Sequence, residues 1–392
     1  MKFNKWTLGL AALGVVSLAS AARADEAKMS QVQTTLSNTT LSGYVDVAAI
    51  WRPGSDFGNI PASAFSKGDG FYLNAVDIAF DKPVDQGPWA AGYHVELMLG
   101  PDAPVTGILN SFNGLRQAYV TLRVPLSPNG LDFKVGVFDT IIGYESTSCP
   151  LNPNYTRSFG YSIEPTTHTG VLASYKVGDS LTLQAGVANT WTEVFLINNT
   201  ATYESQKTYM GSIIFTAPDS FGALKGAMLT LGAINAVDSN KSGNGSQTSW
   251  YAGLTVPTPS NKVKFGAAFD CLTYNNRAAG NAQDSIWVAG LFATISPTDK
   301  LSFNLRGELV DATQIGTAAG SPNPIDSNAN YAGHYAEELT ATVQYQVWAN
   351  VLSRLEFRWD HVTSDAFGGT ADGAAAYKKN DFLLALNLVY QF

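Results

Sequence analysis

The last eleven residues, Phe382-Leu-Leu-Ala-Leu-Asn-Leu-Val-Tyr-Gln-Phe392, carry a large apolar side chain at every second position. The intervening set includes Ala385, Asn387 and Gln391. A period of two specifies a strand with one apolar and one mixed face. The same alternation recurs along the chain near 40–51, 71–80, 89–99, 115–124, 131–138, 167–176, 181–188, 207–216, 227–235, 249–256, 263–273, 285–295, 301–310, 335–346, 351–360 and 381–392. No apolar run reaches the roughly 20 residues that a spanning helix needs. Strands of this kind can enter a membrane only if they close on themselves, because a bilayer satisfies no backbone donor or acceptor. The expected fold is therefore all-β: an antiparallel transmembrane barrel of about sixteen strands.

The N-terminus reads as an export signal. Lys2 and Lys5 form a positive start, Thr7 to Leu18 an apolar core, and Ala22-Arg23-Ala24 a cleavage site, with cleavage after Ala21 as an alternative. The expected division is a signal peptide over 1–24, a polar lead-in over 25–38 and a barrel over 39–392, placed in the outer membrane of a Gram-negative cell. A lead-in this short is no folded plug, which argues against an energy-coupled transporter. Only 14% of residues are charged, against about 25% in soluble domains. Loss of Lys2, Lys5 and Arg23 with the leader takes the formal charge from −8 to −11, which argues against a nucleic-acid partner.

Connections alternate in length. Short ones such as Lys82–Gly87, Pro125–Gly130, Gly178-Asp179 and Ser296–Asp299 are built of turn formers. Long ones such as Arg52–Gly70, Asp139–Thr166 and Asp311–His334 lie between them. Short inner turns facing long outer loops are the pattern of a membrane barrel. The faces also separate. Leu355, Phe357 and Trp359 alternate with Arg354, Glu356, Arg358 and Asp360, so one side of that strand requires lipid and the other water. Leu301, Phe303 and Leu305 alternate in the same way with Asn304, Arg306 and Glu308. Trp89, Tyr93, Trp250, Tyr251, Trp287, Tyr345, Trp348, Trp359 and Tyr390 fall near strand ends, where an aromatic girdle belongs.

The stretch 112–171 contains Phe112-Asn-Gly-Leu-Arg-Gln-Ala-Tyr119, Val135-Gly-Val-Phe-Asp-Thr140, Gly143-Tyr-Glu145, Tyr155-Thr-Arg-Ser158 and Glu164-Pro-Thr-Thr-His-Thr-Gly170. This run resembles the OmpL-like β-barrel porin family of Gram-negative outer membranes. The final strand, ending on Tyr390 and Phe392, likewise resembles the closing strand of outer-membrane barrels, which serves there as the signal read by the barrel-assembly machinery. The resemblance implies a pore embedded in outer-membrane lipid that passes small hydrophilic solutes, with a homotrimer as an assembly to test. It carries no particular solute.

Two other functions stay open at this level. A barrel that only anchors an adhesive surface protein would need binding chemistry gathered in one loop, or a small filled barrel. An outer-membrane hydrolase would need a triad spacing that His94, His168, His334 and His361 do not show. The chain is thus read as no enzyme, with no cofactor and no metal site. Asp238–Gly245 and Pro322–Asn330 offer oxygen ligands but not the spacing of a calcium loop. Cys149 and Cys271 are expected as free thiols, Cys271 on the lipid face with Phe265, Ala267 and Phe269.

Site expectations concentrate on the connection from Asp139 to Thr166. It is far longer than hairpin closure requires, and it holds Tyr155, Phe159, Tyr161 and Ile163, which prefer packing to water. Folding into the lumen would bring Asp139, Glu145 and Glu164 inward. Counting half-way round the ring places this loop opposite Arg306, Arg354, Glu356 and Arg358, so that acid on the loop faces base on the wall across a constriction. In an alternative arrangement, Arg157 pins the loop by pairing with one of its own carboxylates.

Overall fold

A computed structural model describes residues 31–34, 37–53, 67–85, 87–103, 114–126, 129–192, 206–236, 246–259, 262–276, 282–313, 335–363, 370–371, 374–375 and 378–392. The signal peptide expected over 1–24 and the possible calcium loops lie outside these residues, apart from the described ends of the connections that carry them. The first eight barrel strands are β1 (Ser37–Trp51), β2 (Gly70–Lys82), β3 (Ala91–Leu99), β4 (Leu115–Val124), β5 (Leu131–Asp139), β6 (Thr167–Val177), β7 (Leu181–Ala188) and β8 (Thr208–Thr216). The second eight are β9 (Met228–Ala236), β10 (Gln247–Pro257), β11 (Val263–Asn276), β12 (Ala282–Ile295), β13 (Leu301–Asp311), β14 (Tyr335–Trp348), β15 (Val351–Val362) and β16 (Asn380–Gln391). Each pairs antiparallel with the next, and β16 returns to β1, so the ring has no free edge. The all-β barrel and its strand order agree with the sequence reading. Inside the expected lead-in, Gln31–Thr34 is also a strand and pairs back onto Thr40 to Ser37.

Closure is completed by the terminal residue. Phe392 and Gly43 exchange both backbone hydrogen bonds, each 3.0 Å. A Cβ at Gly43 would lie 2.6 Å from the Phe392 ring, so the missing side chain makes room for the aromatic that seals the seam.

Alternation divides the wall as expected. On β15 Arg354, Glu356, Arg358 and Asp360 face inward and are buried, while Leu355 and Phe357 are exposed to the outside. Trp51, Tyr209, Trp250 and Tyr335 form an outward belt at the long-loop end. Tyr345, Trp348 and Tyr390 form another at the short-turn end. Two aromatic expectations need correction. Tyr251 is buried in the lumen because its neighbour Trp250 occupies the outer face. Trp89 precedes β3 in a turn, where it follows Pro88 with φ of 56°, a left-handed conformation that ends any extended run.

Two β-bulges near the loop end of the wall alter the parity of the sequence pattern, and a further register shift falls between Gln346 and Trp348 at the short-turn end of β14. Between β1 and β2, Asp46 pairs with Ala75 and Val47 with Leu73, leaving Asn74 as an extra residue. Between β3 and β4, Glu96 pairs with Gln117 and Leu97 with Leu115, which leaves Arg116 extra. Strict alternation with Ala118, Val120 and Leu122 would send Arg116 into lipid; the bulge turns it inward, where it is buried.

The facing is testable on β13. Leu305 is 46% exposed on the outer wall. Leu305→Arg is expected to cost about 2–4 kcal/mol near the bilayer midplane. Leu305→Met should cost less than about 1.5 kcal/mol. Reversible unfolding in lipid measures both, and equal losses would contradict the assigned faces.

Candidate functional site

Between β5 and β6 the chain does not arch outward over the rim. Its ends are tied by a backbone bond from Thr140 N to Thr166 O (2.9 Å), and residues 140–166 fold into the barrel against its inner wall. Among the described residues the inner wall carries four apolar patches, and each is completed by this loop. Ile141 and Ile142 join Leu172, Met210, Ile234, Tyr251 and Phe292. Cys149 joins Tyr44, Met98, Leu352 and Val389. Tyr155 joins Ala48, Ile50 and Leu383. Phe159 and Ile163, on the one-turn helix α1 (Phe159–Ile163), join Leu272, Ile286, Val288 and Val310. Burying an aromatic or branched side chain contributes roughly 1.5–3 kcal/mol, so these residues act as the core that an open barrel lacks. Glycines on the wall receive them. A Cβ at Gly232 would lie 2.5 Å from Ile142, and one at Gly266 would overlap the Tyr144 ring, which stacks on Phe292 at 4.0 Å between centroids.

The opposite wall holds the loop by polar contacts. Arg306 Nη1 donates to Glu145 Oε1 (2.7 Å) and to the Thr156 carbonyl (2.8 Å), and its other nitrogens reach Glu338. Arg354 Nη2 donates to the carbonyls of Cys149 (3.1 Å) and Asn152 (2.5 Å), and Nη1 reaches Asn387 Oδ1 at 3.1 Å. Arg358 Nη1 donates to the Arg157 carbonyl (2.6 Å) while its other edge grips Asp360. The acids of the ladder work the other way. Glu356 accepts the backbone N–H groups of Tyr155 (2.5 Å) and Thr156 (2.9 Å). Glu308 accepts those of Phe159 (2.7 Å) and Gly160 (3.1 Å).

The expected site residues thus separate into groups. Glu145, Arg306, Arg354, Glu356 and Arg358 come together, but in contact. The three arginines are 0% exposed beneath the loop, so no open gap separates acid from base there. Asp139 does not reach that wall; its carboxylate is 2.7 Å from Arg116 on the neighbouring strand. Glu164 meets the carboxyl of Asp270 on β11 instead, and burial, then that neighbouring acid, push its pKa well above the usual carboxylate range. Arg157 is held by the carbonyls of Thr147 (2.9 Å) and Tyr155 (3.2 Å), not by a carboxylate, because the nearby Glu145 already serves Arg306 and the Ser158 N–H. Tyr390 faces outward and Phe392 closes the seam. Cys149 and Cys271 are free thiols.

Sequence reasoning missed Arg116 and Glu308. Arg116 ties Glu96 to Asp139, and only its bulge makes it inward. Glu308 was read as inward but not as an anchor; its place two residues from Arg306 on the same face was the available signal.

The wall is also uneven in charge. β7 to β10 contain no Asp, Glu, Lys or Arg. Their inner face presents Gln184, Ser212, Thr230, Ser249 and Thr255 among Met210, Ile214, Met228 and Tyr251. A cavity remains between this wall and the first limb of the loop.

With this geometry in hand, a family model described as "Putative beta-barrel porin-2, OmpL-like" matches residues 38–392. The outer membrane channel DcaP of Acinetobacter baumannii superposes with a TM-score of 0.58 at 15% identity, over 93% of this chain and 100% of that one. The anion-selective porin from Comamonas acidovorans gives 0.59 at 12%, covering 90% and 99%. OmpT of Vibrio cholerae, in its trimer form, gives 0.57 at 13%, covering 90% and 99%. At such identities the likeness is one of fold. Comparison with curated proteins finds no match. Family model, closed sixteen-strand ring and inward-folded loop agree, and the chain belongs to the OmpL-like β-barrel porins, channels of the outer membrane.

Proposed function

We propose that this porin passes small hydrophilic solutes by passive diffusion and that residues 140–166 set its narrowest section. The observation that carries the reading is that one loop completes all four apolar patches of the inner wall and is bonded across the lumen to β13, β14 and β15. A loop so placed limits the cross-section of whatever passes, and passive diffusion needs neither cofactor nor catalyst. Export by residues 1–24, insertion through a C-terminal strand bearing Tyr390 and Phe392, and assembly as a homotrimer belong to the same proposal. The trimer form of OmpT supports the last of these.

Planar-bilayer recording tests the reading. The wild-type protein should give discrete conductance steps, and removal of residues 146–160 should raise the step size severalfold. Because Arg354 and Arg358 lie covered, replacing both by Ala should loosen the loop and raise conductance rather than shift ion preference. Unchanged steps in both variants would contradict the assignment of the constriction.

Loop seating has its own test. Gly266→Val would displace Tyr144 from the wall. Heat-modifiable mobility on gels should persist, while limited proteolysis should cut within 140–166 faster than in wild type. A loop equally resistant in both proteins would show that this contact does not hold it.

A further inference from the structure

The charged side chains of the lumen are largely committed. Arg52 pairs with Asp381, Arg116 with Glu96 and Asp139, Arg123 with Asp132, Arg306 with Glu145 and Glu338, and Arg358 with Asp360. Apart from Glu145 on the loop and Arg52 just beyond β1, these groups lie on β3 to β5 and β13 to β16. A cavity lies against β8 to β13 and the loop limb from Asp139 to Thr147, with Asp139, Glu145 and Glu164 at its loop edge. Its wall offers three kinds of surface: aromatic faces from Tyr144, Tyr251 and Phe292, aliphatic groups from Ile142, Ile214 and Met228, and the hydroxyls of Thr230, Thr255 and Thr294.

We propose that the solute path runs along the uncharged wall of β7 to β10 and that its narrow section binds uncharged, water-soluble molecules with an apolar or aromatic face. This inference rests on the diffusion-channel reading and names the solute class for it. Desolvation sets this preference. An ion entering this cavity sheds water and finds threonine hydroxyls and aromatic rings, with no counter-charge supplied by four consecutive strands. The carboxyls at the loop edge do not change this. Asp139 is salt-bridged to Arg116 at 2.7 Å, Glu145 to Arg306 at 2.7 Å, and Glu164 abuts Asp270. Lys264, near the short-turn mouth, is engaged as well. A neutral solute exchanges its water for hydroxyl groups with little loss. An apolar face on it gains contact with Phe292, Tyr144 and Ile214, the mix of apolar lining and few polar groups that small-molecule sites use.

Single-channel recording in potassium chloride, with phenyl β-glucoside, glucose or glucuronate added at equal concentration, tests this. Phenyl glucoside should reduce the mean open current at about tenfold lower concentration than glucose, as expected when an aromatic ring gains stacking and burial. Glucuronate should be no more effective than glucose. Thr230→Asp puts an anion into the cavity from the wall, and it should weaken the phenyl glucoside effect severalfold while heat-modifiable mobility shows an intact barrel. Should that variant fail to fold, the three-solute comparison on wild type decides alone. Steps that glucuronate reduces as well as phenyl glucoside does, or an equal effect of phenyl glucoside and glucose, would overturn this inference and leave the diffusion channel standing. Absence of discrete steps altogether would overturn the diffusion channel and this inference with it.

Discussion

Three arginines taken wholly out of water decide how this barrel is organised. Arg306, Arg354 and Arg358 are 0% exposed. An unpaired charge in such a place costs several kcal/mol. Arg306 and Arg358 find carboxylates, Glu145, Glu338 and Asp360, but Arg354 is satisfied by Gln344, Asn387 and the carbonyls of Cys149 and Asn152. The planar fork of guanidinium suits this, since its donors can address several carbonyls at fixed angles. Loop and wall are thereby interdependent. Without the loop the arginines lose acceptors, and without the arginines the loop has buried carbonyls with no donor.

Apolar packing and polar anchoring share the work along the loop. Its first limb is seated by Ile142 and Tyr144 in recesses left by Gly232 and Gly266. Its middle is held by the arginines and by Glu356, and α1 is docked by Glu308. The result is a lumen with unlike halves. One sector is charged and covered, and the other, β7 to β10, carries no charged residue and contributes part of the cavity wall. Because the outer face of β7 to β10 is as apolar as that of β13 and β15, with Leu183, Ile213, Leu231 and Leu254 matching Leu305 and Phe357, this asymmetry concerns what crosses the interior.

Much of this was legible in the residues. Strand alternation, the ladder of Arg354, Glu356, Arg358 and Asp360, and the unusual apolar content of the 139–166 connection fix the faces and identify the loop. Two kinds of information were not legible. A bulge reverses parity without any mark in local hydrophobicity, so Arg116 reads as lipid-facing until its pairing with β3 is known. Contacts made through backbone carbonyls leave no residue type to read either. For that reason Arg157 was given a carboxylate partner in the alternative arrangement, and Arg306, Arg354 and Arg358 were expected to face an open gap. The neutral wall is different. It is plain in Leu181–Ala188, Thr208–Thr216, Met228–Ala236 and Gln247–Pro257, but it acquires meaning only once the other charges prove to be committed.

Cys149 reports directly on whether the loop is docked across the lumen in the folded barrel. This thiol lies 3.3 Å from Arg354 Nη1, and burial pushes its pKa up to about 12, so the docked loop holds it inaccessible and protonated. With Cys271→Ser removing the lipid-facing thiol, a charged, membrane-impermeant thiol reagent applied to the folded protein should leave Cys149 unmodified until the barrel is unfolded. Rapid modification of Cys149 in the folded barrel would contradict the docked loop.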